Sequence, residues 1–163
     1  MKRAHKLLGI ASGVAAAALV SVAPAFPHHS FAMYDQNKTV TITGVVKQFV
    51  PQANHAEFHV YLLSADRKGI ERGKDGKSYV EWGVEMAGTA QLERQGVSAS
   101  TFPQGTVISI KVNPLRDGSN FGARAGALAK CPTDPATKKP VLPEAGKHCD
   151  SVAGMTLSGG TTF

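Results

Sequence analysis

Residues 55–63, His-Ala-Glu-Phe-His-Val-Tyr-Leu-Leu, alternate cleanly along the chain. Ala56, Phe58, Val60 and Leu62 fall on one side of an extended backbone, and His55, Glu57, His59 and Tyr61 on the other. Residues 79–86, Tyr-Val-Glu-Trp-Gly-Val-Glu-Met, repeat the pattern, with Val80, Trp82, Val84 and Met86 opposite Tyr79, Glu81, Gly83 and Glu85. A period of two with one apolar side describes strands that lie on a core and show a polar face to solvent. Residues 66–77 between them are charged and punctuated by glycine, which predicts a hairpin with a long, mobile tip.

The flanking sequence extends this reading. Residues 39–50 are rich in β-branched side chains and predict a long strand that bends at Gly44. Residues 90–95 suit a short helix stopped by Gly96. In 106–112, Ile108 and Ile110 point inward and Val107 is out of phase with them. Residues 113–120 form a turn of Pro, Asp and Gly, 122–130 a strand of small residues, and 151–157 an edge strand. Five strands with a short helix between the third and fourth have the element order of an OB-fold, so the expected class is mainly β, a five-stranded OB-fold-like barrel. The alternative, an immunoglobulin-like β-sandwich, wants about seven strands and has no place for the helical segment.

The amino terminus reads as an export signal. Lys2, Arg3 and Lys6 precede an apolar run over 7–22, and Ala23-Pro24-Ala25 fits the small-x-small cleavage pattern, so cleavage is expected after Ala25. The competing reading, a retained membrane anchor, needs about 20 apolar residues, more than this Ala- and Gly-rich run supplies. The domains expected are a cleaved signal (1–25), a barrel (26–130) and a C-terminal extension (131–163). The expected location is periplasmic or secreted, with no membrane insertion after cleavage.

Charge narrows the partners. The signal holds three of the 18 Lys+Arg and none of the 12 Asp+Glu, so beyond it 15 bases face 12 acids. This small excess, with no basic stripe interleaved with aromatics, argues against nucleic acid. Cys131 and Cys149 bracket a Pro- and Lys-rich segment without periodicity. In an oxidising compartment they are expected to pair, adding about 3 kcal/mol in the chain-entropy model. The competing reading is a metal pair assisted by His148, although neither cysteine has C-x-x-C spacing.

Several short motifs occur together between 27 and 126: His28-His29-Ser30-Phe31, Asp35, Thr43-Gly44-Val45-Val46, Asn54-His55, Glu81-Trp82-Gly83-Val84-Glu85-Met86 and Asn113-Pro114-Leu115-Arg116-Asp117-Gly118. In this combination the chain resembles a family of small exported bacterial proteins of unknown function. The resemblance implies one exported domain and no established activity. It departs from the family at Asn54-His55, where relatives carry Asn-Pro-His, and in the extension, where relatives commonly end soon after the last barrel strand.

Candidate chemistry centres on histidine, an imidazole donor suited to copper and zinc. A hairpin aligning His55 opposite Glu85, and His59 opposite Glu81, sets carboxylates beside imidazoles. The bland reading of these positions is a solvated face of cross-strand His to Glu pairs. Cleavage after Ala25 leaves Phe26-Pro27 ahead of His28, so chelation by a terminal histidine amine and ring does not form without further trimming. Pro27 also lacks the amide hydrogen of the common three-residue copper chelate. The expected metal ligands are therefore the side chains of His28, His29, His55 and Glu85, with copper or zinc as the ion. Trp82 is expected in the core, as are Met33 and Met86 unless they serve copper(I) as thioether donors.

No nucleophile elbow or carboxylate dyad stands out, so the protein is not expected to be an enzyme. Asn113, Arg116 and Asp117 on the exposed turn are the candidate contacts to an exported or inner-membrane partner. The two functions expected are thus a transition-metal binding module and a non-catalytic docking subunit.

Overall fold

The computed structural model describes residues 31–158. The signal, its cleavage point and the two histidines His28 and His29 lie outside the described residues. After a 3-10 turn at Phe31–Met33, the chain runs β1 (Val40–Val50), β2 (Glu57–Leu62), β3 (Glu81–Glu85), α1 (Thr89–Arg94), β4 (Val107–Pro114) and β5 (Phe121–Lys130). A second 3-10 turn, Cys149–Ser151, and β6 (Thr156–Ser158) follow.

β2 and β4 flank β1, and β3, β5 and β6 continue the sheet outward in the order β3-β2-β1-β4-β5-β6. A parallel pairing of β3 with β5, Gly83↔Phe121 to Glu85↔Ala123, closes β1 to β5 into a mixed barrel. This is the expected five-stranded OB-like barrel, and it excludes the sandwich. The alternating apolar sides fill it: Phe58, Val60, Val84, Met86, Ile108, Ile110, Val112 and Leu128 are all fully buried, with Leu92 of α1 among them. Trp82 packs at the edge of this core.

A second, smaller core lies on the other side of the wall: Leu63, Val107, Ala129, Cys131 and Cys149, with Val45, Ile70, Val152 and Met155 against them. It accounts for the phase break at Val107. Where apolar residues are adjacent, as at Val45-Val46, Val107-Ile108 and Leu128-Ala129, the strand is covered on both faces. Cys131 and Cys149 are joined by a disulfide with their Cα atoms 4.9 Å apart, so they are not a metal pair.

Three local expectations change. The irregularity of β1 falls between Val46 and Gln48, with Lys47 as the extra residue, whereas Gly44 stays paired on both sides. Glycine is needed at 44 because a Cβ would run into the backbone oxygen of Tyr61. Residues 66–77 fold back on themselves: Ile70 bridges Leu63 and Tyr79 bridges Arg72. The Glu71 amide donates to Leu62 O at 2.8 Å, and the Val80 amide to Glu71 O at 3.0 Å. The edge strand is only Thr156–Ser158, since the disulfide holds Cys149–Ser151 in a tight turn instead.

Candidate functional site

The outer face of β2 and β3 gathers the charged side chains that alternation leaves outside. The observed register pairs Glu57 with Glu85, His59 with Gly83 and Tyr61 with Glu81. The expected register, His55 opposite Glu85 and His59 opposite Glu81, is therefore offset by two residues. The side-chain pairs nevertheless form along the diagonal, which long side chains span. His59 Nδ1 lies 2.9 Å from Glu81 Oε1, and His59 Nε2 lies 3.2 Å from Glu57 Oε2. Both ring nitrogens of His59 thus face carboxylates.

Lys47, the extra residue of β1, donates to Glu81 Oε2 at 2.7 Å. Burial opposes ionisation of Glu81, but the hydrogen bonds from Lys47 and His59 prevail and hold its carboxyl below the usual range. The strip continues as an aromatic patch, with Tyr61 and Tyr79 rings 5.4 Å apart and the Arg72 guanidinium 4.3 Å from the Tyr79 ring centre.

At the other end, backbone pairing of Ala56 with Met86 and Ala87 brings His55, in the connection before β2, to the end of β3. His55 Nδ1 lies 3.4 Å from Glu85 Oε1. The second oxygen of Glu85 accepts a hydrogen bond of 3.1 Å from the Tyr34 hydroxyl. Tyr34 is buried, and burial, followed by the charge and hydrogen bond of Glu85, pushes its hydroxyl far above the ordinary tyrosine range. It therefore stays a donor and fixes the carboxylate.

Tyr34 was not visible as a site residue from sequence, because it sits in a short segment without periodicity. Its position comes from the 113–120 turn. Tyr34 bridges Leu115, the Asp35 amide donates to Pro114 O at 2.8 Å, and Arg116 donates through its amide to Met33 O and through Nε to Ala32 O, each at 3.0 Å. Asn113 Nδ2 donates to Lys38 O at 2.8 Å, and Asp117 accepts from Ser119. The residues expected to meet a partner thus hold residues 32–38 and their own turn. Beside them a half-open cleft of about 520 Å³ is walled by Tyr34, Asn113 and Arg124.

Of the four expected metal ligands, His55 and Glu85 are brought together, and His28 and His29 lie outside the described residues. Met86 is in the core, whereas Met33 is exposed. Among the described residues no group of three or more His, Cys, Asp or Glu side chains is arranged to hold an ion. No helix among them is long and apolar enough to cross a membrane.

No curated protein and no solved structure matches the chain. A family model, described as a family of unknown function (DUF6152), matches residues 15–124, more than half of the 163, and the chain belongs to that family.

Proposed function

We propose that this protein is an exported, non-catalytic module that binds a transition metal, copper or zinc, through His55 and Glu85 together with the side chains of His28 and His29. The observation that carries the reading is the 3.4 Å between His55 Nδ1 and Glu85 Oε1. Two donors each about 2.0–2.1 Å from a tetrahedral ion stand about 3.4 Å apart, so this pair has the spacing of one edge of a metal site. The Tyr34 hydroxyl on the other carboxylate oxygen is the outer-shell hydrogen bond that orients a ligating carboxylate.

The described residues offer two donors here, and a site needs at least one more. His28 and His29 are the sequence's candidates for the remaining donors. Export is supported by the disulfide, which persists in oxidising compartments.

The test is titration of copper(II) and zinc into the mature protein, read by native mass and calorimetry. One bound ion per chain is expected. Changing His28 and His29 together to alanine should abolish binding, and His55→Ala should weaken it. Copper and zinc affinities that survive the double change would overturn the assignment.

A further inference from the structure

The C-terminal extension is fastened to the outer face of β1 and β4 through polar groups that the metal site does not use. Thr43 and Ser109 are direct partners across the two strands, their hydroxyl oxygens are 2.6 Å apart, and each residue is only 3% exposed. The Cys149 amide donates to Ser109 Oγ at 2.7 Å, and His148 Nδ1 lies 2.7 Å from Thr43 Oγ1.

Counting hydrogens gives this chain a direction. Ser109 Oγ accepts the Cys149 N–H, and among the described residues Thr43 Oγ1 is the one acceptor bonded to its own hydroxyl, so the Ser109 hydrogen goes to Thr43 and the Thr43 hydrogen goes on to His148 Nδ1. That nitrogen is then a bare acceptor, and the ring is neutral with its hydrogen on Nε2. A protonated ring carries hydrogen on Nδ1 and reverses the chain. Thr43 must then donate to Ser109, whose hydroxyl hydrogen has no other acceptor among the described residues and is shut away from water.

The surroundings favour the same state. Burial is the largest influence holding the ring's pKa below the ordinary histidine value. Arg67 from the turn after β2 and Lys111 from β4 add to it, and Asp150 on the adjoining 3-10 turn opposes it. Arg67 also donates to Lys147 O through Nε at 3.1 Å and Nη2 at 2.6 Å. This second anchor, beside the first, does not titrate.

We propose that His148 is a proton-operated latch: protonating its ring releases residues 148–151 from Thr43 and Ser109 and opens the buried Cys131–Cys149 disulfide to solvent. The extension is closed at neutral pH and loosened in acid, and Arg67 keeps its near end attached.

The test compares wild type with His148→Gln, whose side-chain oxygen can accept from Thr43 without titrating. Intact mass follows reduction of the disulfide by a water-soluble phosphine at about pH 7.5 and about pH 4.5, the acid arm set well below the ordinary histidine value because burial lowers that of His148. The acid-to-neutral rate ratio should be several-fold larger in wild type, and ring nitrogen shifts at neutral pH should show the Nε2–H tautomer. Equal ratios in the two proteins, or the Nδ1–H tautomer, would overturn the latch. Should the variant fail to fold, hydrogen exchange of the wild-type Cys149 amide, corrected for intrinsic rate, decides. A rise on acidification supports the latch, and a flat profile refutes it.

Discussion

Two outer faces of one barrel have opposite fates. On β2 and β3 the outward residues are Glu57, His59, Tyr61, Glu81 and Glu85, and they stay partly exposed, the four ionisable His and Glu side chains in ion pairs and Tyr61 against Tyr79 and Lys47. Where the extension crosses β1 and β4 the outward residues are Thr43, Val45, Val107 and Ser109, and it covers them. Charged side chains keep a face in water because desolvating them costs more than their pairing returns. Short hydroxyls and valines accept a second layer, because each hydroxyl finds a partner and the rest gains from burial. The chemistry of the outward positions thus decides which wall is a candidate binding surface and which is a foundation.

Removing the disulfide is the most severe way to break this contrast. The double change Cys131→Ser and Cys149→Ser should destabilise the protein by about 3 kcal/mol, read by urea unfolding. Metal affinity at the other face should stay unchanged, and a parallel loss would show that the faces are not independent. Acidification is a gentler perturbation of the same wall. Because burial holds His148 below its unfolded value of 6.5, the unfolded chain takes up the proton first. The contribution is complete above about 6.5 and is lost as the pH falls through the folded value. The melting temperature of wild type should therefore drop further than that of His148→Gln over this window. The smallest effect belongs to the open face, where Glu81→Gln should cost under about 1 kcal/mol in thermal unfolding, as half-exposed pairs do.

Much of the barrel is legible in the chain, because its walls alternate. Ala56 to Leu62 and Val80 to Met86 show which side is buried. The register of that hairpin is not legible, for a physical reason: a slip of one residue would turn every side chain over, but a slip of two preserves each facing. Periodicity cannot distinguish His55 opposite Glu85 from Glu57 opposite Glu85. The choice is made by the folded 66–77 segment, through the hydrogen bonds of Leu62, Glu71 and Val80. The His55 and Glu85 side chains meet in spite of the offset because both are long enough to reach along the diagonal.

What sequence reasoning could not reach is set by distance along the chain. Tyr34 meets Glu85 across 51 positions, and His148 meets Thr43 across 105. None of these residues carries a local pattern that names its partner. Asn113 and Arg116 are a further case: their side chains donate to the backbone of the segment that brings Tyr34 to the site, across 75 and 84 positions.

The seam between β3 and β5 has a consequence for the order of folding. It consists of three residue pairs, and the Phe121 ring lies against Gly83 where any larger residue would collide with it. Its partners are far apart in sequence, whereas β2 with β3 and β4 with β5 are joined by single connections. Loop-closure entropy must be met before so short a pairing returns anything, which favours assembly of the two neighbouring strand groups ahead of the seam. The two groups can then meet along two lines, β1 with β4 and β3 with β5, and the end of β3 that carries Glu85 reaches its final position only when the second of these is made.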